Sequence, residues 1–153
     1  MPQVIITYAA NPAYALAATN PQTNAPVTLQ PVVKTPLSQL LWNVNRLNGL
    51  ITLAASVSPN ILALSTSGQN QSPITLQLLA PGSANQQWNF LIGTTVINSI
   101  GFPGYVIDNE GRGTTAGNTI WLYPVNGSPA QQWNLEVQDA ASVAAVAKEL
   151  APA

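Results

Sequence analysis

Three tryptophans stand in similar surroundings at nearly equal intervals. They are Trp42 in Gln39-Leu40-Leu41-Trp42-Asn43, Trp88 in Gln86-Gln87-Trp88-Asn89 and Trp133 in Gln131-Gln132-Trp133-Asn134, 46 and 45 residues apart. A fixed period of this length marks a repeat architecture, in which one unit cannot bury its own apolar face and must share a core with its neighbours. The registration extends upstream, where Pro12, Pro59 and Pro103 precede the tryptophans by 30, 29 and 30 residues. Each proline is followed by an apolar run: Tyr14-Ala15-Leu16, Ile61-Leu62-Ala63 and Tyr105-Val106-Ile107. Beyond a polar loop, Val27-Thr28-Leu29-Gln30 and Ile74-Thr75-Leu76-Gln77 align with Asn118-Thr119-Ile120-Trp121.

These runs are short, rich in Val, Ile, Thr and aromatics, and separated by Asn-Pro, Pro-Gly, Asn-Gly and Ser-Gly, which are signals of strands and turns. About four strands per repeat, about twelve in all, are expected. Three four-stranded units sharing one core close most simply into a barrel with pseudo-threefold symmetry and no open edges. The sequence therefore predicts an all-β fold, a β-trefoil of three repeats of roughly 45 residues. Three blades are too few for a propeller, and the periodicity near two excludes a helical solenoid. The tryptophans read as core residues, filling volume at equivalent places.

Composition bounds the function. The chain has 153 residues, enough for one domain. Its four Lys and Arg and five Asp and Glu leave a net charge of −1, and charged residues are only 6% of the total. Lys34, Arg46, Arg112 and Lys148 are too few and too scattered to neutralise a phosphate backbone, so nucleic acid is not an expected partner. Hydrophobic residues make up 46%, which argues for a packed interior despite 13 Pro and 10 Gly. With no Cys and no His, thiolate chemistry, disulfides and serine triads of the usual kind are excluded, and no enzymatic activity is expected. Asp108, Asn109 and Glu110 do not follow a calcium-loop spacing, so neither a metal nor a cofactor is expected. The start of the chain shows no secretory leader and no stretch reaches 18 apolar residues. The expectation is a cytoplasmic protein, or one exported without a signal peptide, that does not insert in a membrane.

The Gln-x-Trp motif, complete at Gln86-Gln87-Trp88 and Gln131-Gln132-Trp133 and degenerate at Leu40-Leu41-Trp42, resembles the signature of the ricin B-type β-trefoil lectins. The resemblance covers roughly residues 3 to 138. It implies a carbohydrate-binding function in which a repeat can host a shallow pocket, with an Asp after the first apolar run, an aromatic ring on the later strand, and Asn or Gln nearby. The physical logic stands independently of the family: a carboxylate accepts from vicinal hydroxyls, a ring stacks on the C–H face of a hexose, and neutral amides complete the hydrogen bonding.

The third repeat matches this set. Asp108 stands at the carboxylate position, Tyr123 at the stacking position 15 residues later, and Asn126 lies in an Asn-Gly turn before the signature. At the corresponding places the first repeat has Ala17 and Val32 and the second Leu64 and Leu79, which leaves the third pocket as the retained one. Trp121 takes the place where the family commonly has Gln, and either widens the aromatic platform or covers the core. Gln131 joins the candidate site set, although Gln86 and Gln131 read first as residues whose amides fasten loop backbone beside each Trp. Each ligand role competes with a local one. Asp108 also suits an Asx-turn, Tyr123 a half-buried strand, and Asn126 a hairpin turn.

After Val137 the composition changes to Asp139-Ala-Ala-Ser-Val-Ala-Ala-Val-Ala-Lys-Glu-Leu150. A trefoil over 1–138 and a short C-terminal helix in an Ala-rich tail over 139–153 are expected, with Asp139 as the cap and Val143, Val146, Ala147 and Leu150 on one face. That face either docks on its own trefoil or joins two copies into a homodimer. The expected partners are glycans of glycoproteins or glycolipids, with terminal galactose-type sugars first. The alternatives are a trefoil protease inhibitor and a degenerate trefoil serving as a toxin delivery or assembly subunit.

Overall fold

The computed structural model describes residues 2–138; the helix and the dimer contact expected of the tail fall outside these residues. The first repeat comprises β1 (Gln3–Tyr8), β2 (Tyr14–Ala17), β3 (Thr28–Pro31) and β4 (Leu41–Asn45). The second comprises β5 (Leu50–Leu53), β6 (Leu62–Ser65), β7 (Thr75–Leu78) and β8 (Trp88–Asn89). In the third, the first strand is split into β9 (Gly93–Thr95) and β10 (Asn98–Ser99), followed by β11 (Tyr105–Asn109), β12 (Asn118–Pro124) and β13 (Trp133–Val137). The split accounts for thirteen strands where the repeat pattern leads to about twelve.

The outer strands of the repeats form the barrel. β1 pairs with β4 and β13, β4 with β5, β13 with β9, and β10 with β8. The seam between the second-repeat strands is linked where the Trp88 amide donates to the Gly49 carbonyl at 2.8 Å. The inner strands form three hairpins, β2–β3, β6–β7 and β11–β12, which cap one end. The hairpins bond to one another: Val27 N–H donates to Ile74 O and Ile74 N–H to Ile120 O, both at 2.9 Å, while Asn118 of β12 faces Leu29 of β3. Alternation along the strands sends Trp42 and Val44 inward from β4 and Trp133 and Leu135 inward from β13.

The three tryptophans are equivalent in position. Each is at most 1% exposed, and each indole N–H donates to the carbonyl of a cap strand: Trp42 to Leu16 at 3.3 Å, Trp88 to Leu64 at 3.0 Å and Trp133 to Ile107 at 3.0 Å. A large ring thus fills the core while its one polar atom is satisfied. The two signature glutamines fasten loops beside them. Gln86 accepts from Ala80 N–H and donates to Leu78 O, both at 2.9 Å, and Gln131 accepts from Asn126 N–H and donates to Pro124 O, also at 2.9 Å. In the first repeat the place is taken by Leu40, 2% exposed, which packs without asking for partners.

Pairing also corrects the alignment of the repeats. Asp108 faces Trp121, as Ser65 faces Thr75 and Ala17 faces Thr28. The second-repeat counterpart of Asp108 is therefore Ser65 rather than Leu64. The counterparts of Tyr123, opposite Val106, are Gln30 and Gln77, opposite Ala15 and Ala63, rather than Val32 and Leu79. Counting along the chain fails because the hairpin loops differ in length, whereas cross-strand register decides which face a side chain takes.

Candidate functional site

The β11–β12 hairpin carries the residues that set the third repeat apart. In the first two repeats the cap hairpin bears Ala17 or Ser65 on one strand and a Thr-Gln pair, Thr28 and Gln30 or Thr75 and Gln77, on the other. The third repeat has Asp108, Trp121 and Tyr123 at these three places. Residues two apart on a strand share a face, so Trp121 and Tyr123 stand side by side. Their rings stack with centroids 5.6 Å apart and planes 11° from parallel.

Asp108 is 4% exposed, and both of its oxygens are engaged. Trp121 Nε1–H donates to Oδ1 at 2.8 Å and Gln131 Nε2–H to Oδ2 at 2.9 Å. Burial pushes the carboxyl pKa up from the usual value of 3.8; the bonds from Gln131 and Trp121 and the charge of Arg112 act in the opposite direction without overcoming it. A carboxylate oxygen accepts more than one donor, so the two protein bonds fix the plane of the group and leave acceptor capacity on each oxygen.

The loop after Asp108 is held as firmly. Asn109, fully buried, donates to Gly113 O at 2.9 Å and accepts from Asn118 Nδ2 at 2.7 Å, and the same Asn118 amide donates to Glu110 O at 3.0 Å. This clamp places Glu110, Gly111 and Arg112 along the rim of an open pocket of about 500 Å³, walled by Asp108, Trp121, Tyr123, Asn126, Ser128 and Ala130. Gln71 enters from the β6–β7 hairpin of the preceding repeat, its backbone N–H bonded to Leu122 O at 2.7 Å. Asn126 Oδ1 accepts from Ser128 N–H at 2.9 Å, as expected of an Asx-turn.

Four of the five residues singled out from sequence, Asp108, Trp121, Tyr123 and Asn126, thus line one pocket. Gln131 does not. It is fully buried behind the pocket and orients Asp108 and the Asn126 backbone. Gln71, Arg112 and Ser128 were not legible as site residues, since nothing local marks them and Gln71 arrives only through the threefold packing of hairpins. A second pocket of about 620 Å³ lies between the β2–β3 loop and the β5–β6 loop, away from this set and lined without a charged residue. Among the described residues no group of three or more His, Cys, Asp or Glu is placed to hold a metal ion.

Residues 84–150 match the family described as ricin-type β-trefoil lectin domain-like. Solved structures extend the likeness across the barrel. The C-half of an earthworm R-type lectin, solved in complex with GalNAc, superposes with a TM-score of 0.72 at 20% identity, covering 90% of this chain and 100% of that one. The fold is a β-trefoil. The same trefoil occurs inside larger chains: a mosquitocidal holotoxin matches with a TM-score of 0.75 at 16% identity over 92% of this chain, and an exo-β-1,3-galactanase from Clostridium thermocellum with 0.73 at 18% over 90%. This chain spans 18% of the holotoxin and 30% of the galactanase. No curated protein matches it by sequence.

Proposed function

We propose that this ricin-type trefoil is a carbohydrate-binding module, not an enzyme, and that its third-repeat pocket takes a terminal galactose-type sugar of a glycoprotein or glycolipid. The observation that carries the reading is the Asp108 carboxylate, oriented by Gln131 at the wall of an open pocket that also presents Trp121, Tyr123 and Asn126. Vicinal hydroxyls donate to the carboxylate, the C–H face of the sugar packs on an aromatic ring, and neutral side chains at the rim complete the bonding. The first two repeats have neither a carboxylate nor a ring at the matching places. The occurrence of the fold as a minor part of a holotoxin and a galactanase supports a second, compatible use, in which such a module brings a partner chain to a glycan surface.

A glycan array probed with the wild-type chain and with Asp108→Ala tests the proposal. Binding to galactose-terminated glycans by the wild type, lost in the variant, is the expected result. Binding that survives the substitution would move the site out of the third repeat, and no binding by the wild type would remove the lectin reading.

A further inference from the structure

The aromatic pair in the third repeat replaces a Thr-Gln pair whose members are hydrogen-bonded to each other in the other two, Gln77 also donating to Asn24 Oδ1 at 2.9 Å. Gln30 Nε2–H donates to Thr28 Oγ1 at 3.0 Å, and Gln77 Nε2–H to Thr75 Oγ1 at 3.2 Å. Trp121 and Tyr123 likewise contact each other, but through stacked rings, and the indole N–H continues to Asp108. A hexose in this pocket would need two kinds of contact, an O–H donor on the Asp108 carboxylate and an apolar face laid on Tyr123. Trp121 already makes both. Its Nε1 lies 2.8 Å from Oδ1, and its ring is nearly parallel to that of Tyr123.

We propose that Trp121 is a specificity-determining residue that stands in for the sugar, so that a ligand stacking on Tyr123 must first displace the indole. The inference rests on the carbohydrate reading of the same pocket. The exchange is close to isosteric in its bonding: one N–H donor on Oδ1 leaves and one O–H donor takes its place, while the Gln131 bond to Oδ2 stays and keeps the carboxylate oriented. A lone hexose gains little from such an exchange. A longer glycan, whose further residues reach Gln71, Arg112 and Ser128 on the rim, gains contacts that the indole does not offset.

The test uses the full chain with Trp121→Thr, the residue type that Thr28 and Thr75 place at the equivalent positions, and with Trp121→Phe, which keeps a ring but removes the N–H. Galactose is titrated into each by calorimetry. The Thr variant is expected to bind about tenfold more tightly than wild type, the factor that 1.4 kcal/mol represents, with the Phe variant between them. Tryptophan emission supplies a second readout, because Trp42, Trp88 and Trp133 are fully buried and only Trp121 faces the pocket. Binding to wild type should shift the emission to the red as the indole enters water, and the shift should be missing in the Thr variant. Equal or weaker galactose binding in both variants would overturn the inference while leaving the lectin reading intact, for the indole would then be a platform or a bystander. Failure of every protein on the glycan array would remove the lectin reading and the inference together. If the Thr variant does not fold, a gain in the Phe variant still supports the inference and no gain overturns it.

Discussion

Asp108 combines burial with a proposed role that requires charge. Its carboxyl pKa is raised, chiefly by desolvation, so protonation favours the folded state. The linkage has a definite sign: the stability contributed by Asp108 is fully present below its unfolded pKa and is lost as pH rises through its raised folded value. Urea denaturation of wild type and Asp108→Asn across pH about 3 to 7 should therefore show wild type losing stability relative to the variant as pH rises. A flat difference would mean that hydrogen bonds from Trp121 and Gln131 fully compensate burial. Sugar binding should move the opposite way, because hydroxyls bond more strongly to the ionised group than to the protonated one. Affinity is expected to fall on acidification at a pH above that at which an ordinary Asp titrates.

At the level of the element, the β11–β12 hairpin is a scaffold whose loop is fastened by amides. Gly113 is part of this clamp for steric reasons, since a Cβ built there would lie 2.5 Å from Asn118 Oδ1 and 2.8 Å from Asn118 Cγ. Its φ of −66° is ordinary, so the requirement is space and not backbone conformation. Gly113→Ala must push aside the Asn118 amide that bonds Asn109 and Glu110. Loss of that side-chain bonding beside a fully buried Asn109 should destabilise the chain by about 1–3 kcal/mol in denaturant titration. Glycan binding should weaken at the same time, because Glu110 and Arg112 ride on the loop. A substitution without effect on either would show that Asn118 has another equally good position.

For the molecule as a whole, threefold equivalence makes the tryptophans a set of internal controls. Phe at Trp42, Trp88 or Trp133 removes core volume and leaves the carbonyl of Leu16, Leu64 or Ile107 without its indole donor. Each substitution should cost about 2–4 kcal/mol of stability, a sum of a cavity term and an unsatisfied buried carbonyl. The three costs should agree closely if the pseudo-symmetry extends to energetics. A much smaller value at one position, measured by thermal and urea unfolding, would identify the repeat in which the core can collapse around the change.

The all-β fold, its three units and the buried role of Trp42, Trp88 and Trp133 were legible in the chain itself, because periodic apolar residues state which side chains must share a core. Asp108, Tyr123 and Asn126 were picked out through the resemblance to the ricin B-type lectins, and all three line one pocket. The register across repeats was not legible, since it depends on loop lengths that pairing absorbs: Ser65 and not Leu64 faces the way Asp108 does. Nor was the placement of Gln71, which another repeat delivers to the pocket, whereas Gln131 fastens loop backbone as its sequence position implied and only its further bond to Asp108 was not foreseen. Local sequence determines strand, turn and buried face. Which side chains converge, and which of them a neighbouring ring already occupies, is decided only when three hairpins pack around one axis.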